Sequence, residues 1–227
     1  MRELVKKIPG TVPLVRRLRR LAQGSPESFG SAAYWEQRYA QGGNSGAGSY
    51  NRLARFKADF LNRFVADNQV KYVIEFGCGD GAQLELMDYP AYIGVDVAPT
   101  ILARTAARFA SDPTKRFVRS DRLGEGDRAD AALSLDVIYH LIEDSVFERY
   151  MATLFDRADR FVVIYSNDVE APWDGAHVRY RNFSRWVADN RPDFSLMQVE
   201  RNPYPEDPAD PENTSIADFY VYQRSVR

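Results

Sequence analysis

Val73-Ile74-Glu75-Phe76-Gly77-Cys78-Gly79-Asp80-Gly81-Ala82-Gln83 joins an apolar segment to a glycine loop flanked by two acids. Residues 71–76 are short, apolar and rich in β-branched and aromatic side chains, and read as a buried strand. Residues 82–87 read as the start of a helix, which puts the glycines in a tight strand-to-helix turn. Glycine there lets the main chain approach a ligand closely and adopt positive φ without a Cβ penalty. The arrangement predicts an α/β domain with a nucleotide-cofactor site at this turn.

The spacing of Gly77, Gly79 and Ala82 also satisfies the G-x-G-x-x-G/A fingerprint of dinucleotide-binding folds. Charge separates the two readings. A pyrophosphate on the loop would meet Glu75 and Asp80, whereas S-adenosylmethionine brings an ammonium and a sulfonium and no phosphate. A second apolar run, Tyr92-Ile93-Gly94-Val95-Asp96-Val97, places a carboxylate nineteen positions after Gly77. That spacing suits a ribose diol, so Asp96 is the expected ribose ligand. Thr100 is the expected N-cap of a helix over 100–110.

With these segments in view the chain resembles the class I S-adenosylmethionine-dependent methyltransferases from about Tyr34 to the C-terminus. Glu75-Phe76-Gly77-Cys78-Gly79-Asp80-Gly81 looks like the first family motif and Gly94-Val95-Asp96 like the second. Arg119-Ser120-Asp121-Arg122 falls where the family places an acid against the adenine amino group, with a capping role for Asp121 as the alternative. The stretch from Asp130 through Asp136, Tyr139, His140 and Leu141 looks like the fourth strand and the loop that meets substrate. The resemblance implies a Rossmann-like sandwich whose seven-stranded sheet is mostly parallel, with an antiparallel C-terminal strand. It further implies S-adenosylmethionine held by Tyr34, Arg38, Glu75, Gly77, Gly79, Asp96, Val97, Asp121, Arg122 and Asp136. Within the family, Tyr34-Trp35-Glu36-Gln37-Arg38-Tyr39 and Phe147-Glu148-Arg149-Tyr150-Met151 look like bacterial saccharide O-methyltransferases, such as those acting on methylmannose polysaccharides. This likeness implies a saccharide hydroxyl as acceptor, His140 as base, and magnesium (Mg2+) dependence as an open question.

The sulfonium methyl is already activated, so the protein must position an acceptor and take its proton. The chain has two histidines, His140 and His177, and both fall in segments expected to meet substrate. A near-neutral imidazole is the natural base. For His140 the alternative is a packed or capping imidazole; for His177 it is a hydrogen bond to substrate. Tyr34 and Arg38 share a helix face at i and i+4, positioned to meet the cofactor carboxylate, with Tyr34 and Trp35 as core anchors and Arg38 solvated as the alternative. The loop at 42–49 carries four glycines in seven positions, and is read as a lid in preference to a linker. Trp173, His177, Arg179, Tyr180, Arg181, Phe183 and Trp186 form an aromatic and polar mixture suited to a sugar face, or to a helix packed on the core. Asp136 and Asp168 are candidate metal ligands, but no compact ligand motif accompanies them.

A chain of 227 residues, 44% hydrophobic, supports one sizeable core. The expected division is a basic N-terminal arm over 1–30 and a single domain over 31–227. The arm carries Arg2, Lys6, Lys7, Arg16, Arg17, Arg19 and Arg20, read as a flexible or packed arm in preference to a contact for a membrane surface or a partner protein. Net charge of -2 argues against a nucleic-acid substrate on a broad cationic face. The single cysteine, Cys78, gives no disulfide framework, which together with the lack of a signal-like apolar stretch predicts a cytoplasmic protein. A natural-product O- or N-methyltransferase and a non-catalytic cofactor-binding module are the rival classes. A homodimer is one possible assembly.

Overall fold

The computed structural model describes residues 25–171 and 177–225. The basic residues at 2–20 and Trp173 therefore lie outside the described residues. The elements in chain order are α1 (Ser31–Ala40), α2 (Asn51–Asp67), β1 (Val73–Phe76), β2 (Tyr92–Asp96), α3 (Pro99–Arg108), β3 (Lys115–Arg119), β4 (Ala129–Leu135), α4 (Asp144–Asp156), β5 (Ala158–Ser166), α5 (Phe183–Asn190), β6 (Phe194–Glu200) and β7 (Asp218–Arg224). The strands form one seven-stranded sheet in the order β3-β2-β1-β4-β5-β7-β6. The first five pair in parallel, and β7 runs antiparallel to both β5 and β6. The Rossmann-like sandwich expected from the sequence is the fold observed.

Central strands of such a sheet are covered on both faces and therefore read as unbroken apolar runs. In β5, Phe161, Val163 and Tyr165 join one core with Leu61, Phe64 and Phe219, while Val162 and Ile164 join the other with Met151, Leu154 and Phe155. The period-two alternation thus splits one strand between two helical layers. Helix α2 covers the first face with its apolar stripe, and α4 and α5 cover the second. Phe183 of α5 is fully buried, and Trp186 packs its ring on Phe147 and Phe155 while its indole N–H donates to Glu148. These two aromatics serve the core.

Two local expectations are overturned. No α-helix follows the glycine loop; a single 3-10 turn, Leu84–Leu86, stands there, and Met87 is already extended. Asn62 of α2 holds the segment open, donating to the Leu86 carbonyl at 2.9 Å and accepting from the Asp88 amide at 2.9 Å. Pro90 then supplies no donor to continue a helix. The N-cap of α3 is Ala98, with Pro99 at the first helical position. Proline is pre-organised for that position, which moves Thr100 inside the first turn, where its hydroxyl donates to Glu36.

Candidate active site

Parallel strands in an open α/β sheet present their carboxyl ends to ligand. Here the ends of β1, β2 and β4 surround about 830 Å³ of space, part of it open to solvent. Trp35, Tyr39, Gly77, Asp96, Asp136 and His140 are among its lining residues. Gly77 has φ +83°, and a Cβ there would lie 2.4 Å from Val137 Cγ2, so the position admits no side chain. Asp96 at the tip of β2 is buried, its Oδ2 accepting from the Gly79 amide at 3.0 Å and its Oδ1 from the Ala98 amide at 3.0 Å. Burial pushes this carboxyl up, against those backbone donors. Each oxygen keeps lone-pair capacity for a further donor. A bare glycine cradle beside a buried carboxylate fits a ribose-bearing, cationic cofactor.

Glu75 does not line the space. It is buried beneath the loop, with Oε2 accepting from the Tyr92 hydroxyl at 2.8 Å, and burial pushes its carboxyl up to about 7. Between pH 4.5 and about 7 the folded protein therefore binds more protons at this site than the unfolded chain, and stability is lost as pH rises through that window. Glu75→Gln keeps an acceptor for Tyr92 and is expected to remove this loss. Denaturation midpoints should show the variant gaining on the parent at pH 8 and not at pH 5; a difference independent of pH would contradict the assignment.

The glycine loop at 42–49 is docked over the cradle. The Ser45 amide donates to Asp80 Oδ2 at 2.9 Å, the Asp80 amide returns a bond to Ser45 Oγ at 2.9 Å, and the Tyr50 hydroxyl donates to Asp80 Oδ2 at 2.7 Å. Burial alone would raise the Asp80 carboxyl, but these donors outweigh it and hold it below the usual range. The contact is close enough that a Cβ on Gly79 would stand 2.2 Å from Ser45 Oγ. Tyr34 and Arg38 are not among the lining residues: Tyr34 stacks on His177 at 5.2 Å, and Arg38 Nε donates to the Asn44 carbonyl at 3.0 Å. Their neighbours Trp35 and Tyr39 on α1 face the space. Asp121 is exposed and receives two bonds from Arg119 at 2.5 Å, within the turn Ser120–Arg122. Ser120 from that turn and Val97 line the space.

The opposite wall of the space is built by the turn after β4. Asp136 adopts φ +60°, and its amide donates to the Tyr165 carbonyl at 2.9 Å. Its Oδ2 receives Lys57 Nζ at 2.6 Å and its Oδ1 the Tyr139 hydroxyl at 2.7 Å. The turn Ile138–His140 follows. His140 Nδ1 lies 3.0 Å from the His177 carbonyl. A carbonyl only accepts, so Nδ1 carries the proton and Nε2 keeps a free lone pair. Burial lowers the His140 imidazole to about 4, and burial also lowers His177. The two imidazoles stack at 5.5 Å, with Trp35 edge-on to His140 at 4.9 Å. Arg179 and Arg181 brace the same segment, donating to the carbonyls of Leu141 and Ile142. Among the described residues no group of three or more His, Cys, Asp or Glu side chains could hold a metal ion. Asp136 is committed to Lys57, and Asp168 accepts from the Ser184 amide at 3.0 Å.

Lys57, Trp35, Tyr39 and the Ser45–Asp80 lock escaped the reading of the sequence. For Lys57 a signal existed: Leu53, Lys57, Phe60, Leu61 and Phe64 fall on one helical face, and a lysine in an apolar stripe needs a buried partner.

Residues 50–208 match the family model described as a methyltransferase domain. A search of curated proteins found no match. Among solved structures, the chain is similar to the N-methyltransferase NodS from Bradyrhizobium japonicum WM9 in complex with S-adenosyl-L-homocysteine, at 14% identity and a TM-score of 0.62, over 86% of this chain and 98% of that one. It is similar to magnesium protoporphyrin IX methyltransferase from Synechocystis PCC 6803 with bound SAM, at 14% identity and a TM-score of 0.58, over 86% and 97% of the two chains. A third likeness is to an S-adenosylmethionine-dependent methyltransferase from Clostridium acetobutylicum ATCC 824, at 12% identity and a TM-score of 0.55, over 74% and 91%. At these identities the likeness is one of fold.

Proposed function

The chain belongs to the methyltransferase domain family and is on that ground an enzyme, and from this premise we propose that it transfers a methyl group from S-adenosylmethionine to a hydroxyl of a saccharide, with His140 as general base. The observation that carries the reading is that His140 and the Gly77–Asp96 cradle line one continuous space. Asp96 would accept from the ribose hydroxyls, the Gly77 and Gly79 main chain would meet the methionyl end, and Val97 would flank the adenine, with Asp121 and Arg122 on the adjoining turn outside the lining. When bound, the cofactor supplies an electrophilic methyl carbon. The neutral Nε2 of His140 takes the acceptor proton, and the His177 carbonyl holds the ring in the tautomer that leaves Nε2 free. A hydroxyl needs such a base most. The lining also includes no lysine or arginine among the described residues, which suits a neutral acceptor better than an anionic one.

The test is calorimetric titration with S-adenosylmethionine and, separately, NAD, with magnesium and chelator controls. Labelled methyl transfer to a panel of sugars, phenols and amines follows. Binding of S-adenosylmethionine alone and transfer to a sugar support the reading. Transfer only to a phenol or amine overturns the saccharide acceptor, and binding of NAD alone overturns the cofactor.

A further inference from the structure

We infer that Lys57 is a positioning residue, which through Asp136 ties the seating of the glycine loop to the placement of the His140 turn. Lys57 is 1% exposed in the apolar stripe of α2, and its ammonium lies 2.6 Å from Asp136 Oδ2 and 5.3 Å from the centre of the Tyr165 ring. An ammonium in such a place is costly to desolvate, and buried ion pairs are on balance poor stabilisers, so stability alone is a weak reason for its presence. What the pair does hold is a junction. Asp136 takes the left-handed backbone conformation that side chains rarely adopt, and its carboxylate is gripped by Lys57 on one oxygen and Tyr139 on the other. The loop backbone rests on the same carboxylate: a Cβ on Gly48 would lie 2.5 Å from Oδ2. In the other direction the chain passes directly to Val137, which packs on Gly77, and then to His140. One side chain of α2 thus touches the group where loop, cradle and base-bearing turn converge. The inference rests on the methyl-transfer reading only in naming His140 as the base.

Hydrogen exchange of the full chain tests it without an acceptor. The amides of Ser49 and Tyr50 bond to Gly46 and Ala47, and those of His140 and Leu141 to Val137 and Ile138. In Lys57→Met both pairs are expected to exchange at least tenfold faster, together, while residues 162–164 of β5 keep the parent rate. Lys57→Gln, which keeps an N–H donor for Asp136, is expected to move both pairs together by a smaller factor of at least threefold, and carries the test where the methionine variant does not fold. Parent rates at either pair in a folded variant, or a rise shared equally by residues 162–164, would overturn the positioning role. Titration with S-adenosylmethionine as the probe keeps the two readings apart: a parent protein that binds none refutes the cofactor assignment and leaves the exchange result standing.

Discussion

His140→Ala is expected to lower turnover of the accepted substrate by roughly a hundredfold or more while leaving S-adenosylmethionine affinity within about twofold, because general-base catalysis contributes about that much to rate. The separation follows from geometry. The imidazole is fixed through Nδ1 by the His177 carbonyl and wedged between the rings of His177 and Trp35, and Asp96 and Gly77 do not touch it among the described hydrogen bonds. Its low pKa, about 4, gives a second signature. The ring is neutral at pH 7 and loses its lone pair only as pH falls through that value, so the acid limb of the rate profile should lie well below pH 6. Stability shares the direction: between about pH 6.5 and 4 the unfolded chain takes up a proton at this position that the folded one refuses, so stability falls as pH drops through the window. Initial rates of parent and variant across pH, with calorimetry for cofactor, check both parts. Near-parent turnover in the variant would remove His140 from the chemistry.

Asp96→Ala is expected to weaken S-adenosylmethionine binding by tenfold to a hundredfold, since a hydrogen bond to a charged group is worth about 1.5–3 kcal/mol. The carboxylate also receives the Gly79 and Ala98 amides, so the alanine variant loosens the cradle along with the ribose contact. Asp96→Asn is the milder change, because its amide oxygen can still accept one of the two backbone amides while its NH2 faces the other. A loss smaller than that of the alanine variant but still several-fold is expected. Calorimetry on variants with parent-like circular dichroism decides, and unchanged affinity in the alanine variant would end the ribose assignment.

The fold was legible because its central strands β1, β2, β4 and β5 are short apolar runs with turn residues between them, and a buried parallel strand leaves that signature whatever its neighbours. The segment at 82–87 was misread for the same reason that propensity fails elsewhere. Its apolar residues suit a helix, but Asn62, far away in sequence, captures the Leu86 carbonyl and the Asp88 amide first. Asp96 and His140 could be placed at the ligand end of the sheet from their positions after strands. The grip on Asp136 could not, since Lys57 and Gly48 reach it from a helix and a loop that no spacing rule connects to β4. Phe183 and Trp186 show the converse limit: aromatic residues near a substrate segment look the same in sequence whether they face a ligand or a core.

The placement of β7 between β5 and β6 has a consequence for synthesis on the ribosome. Strand β5 is complete at Ser166, yet one whole edge of it is closed only by Asp218–Arg224, which are made some fifty residues later. Until then the nascent chain carries an apolar strand, Phe161 to Tyr165, with its backbone donors and acceptors unpaired on that side, the pattern by which chains find each other instead of themselves. Tyr165 lies in this strand, and its carbonyl, on the opposite edge that faces β4, receives the Asp136 amide. The turn that bears His140 is thus completed against a strand whose far edge is closed last, so damage near the C-terminus is transmitted through β5 to that turn without touching it.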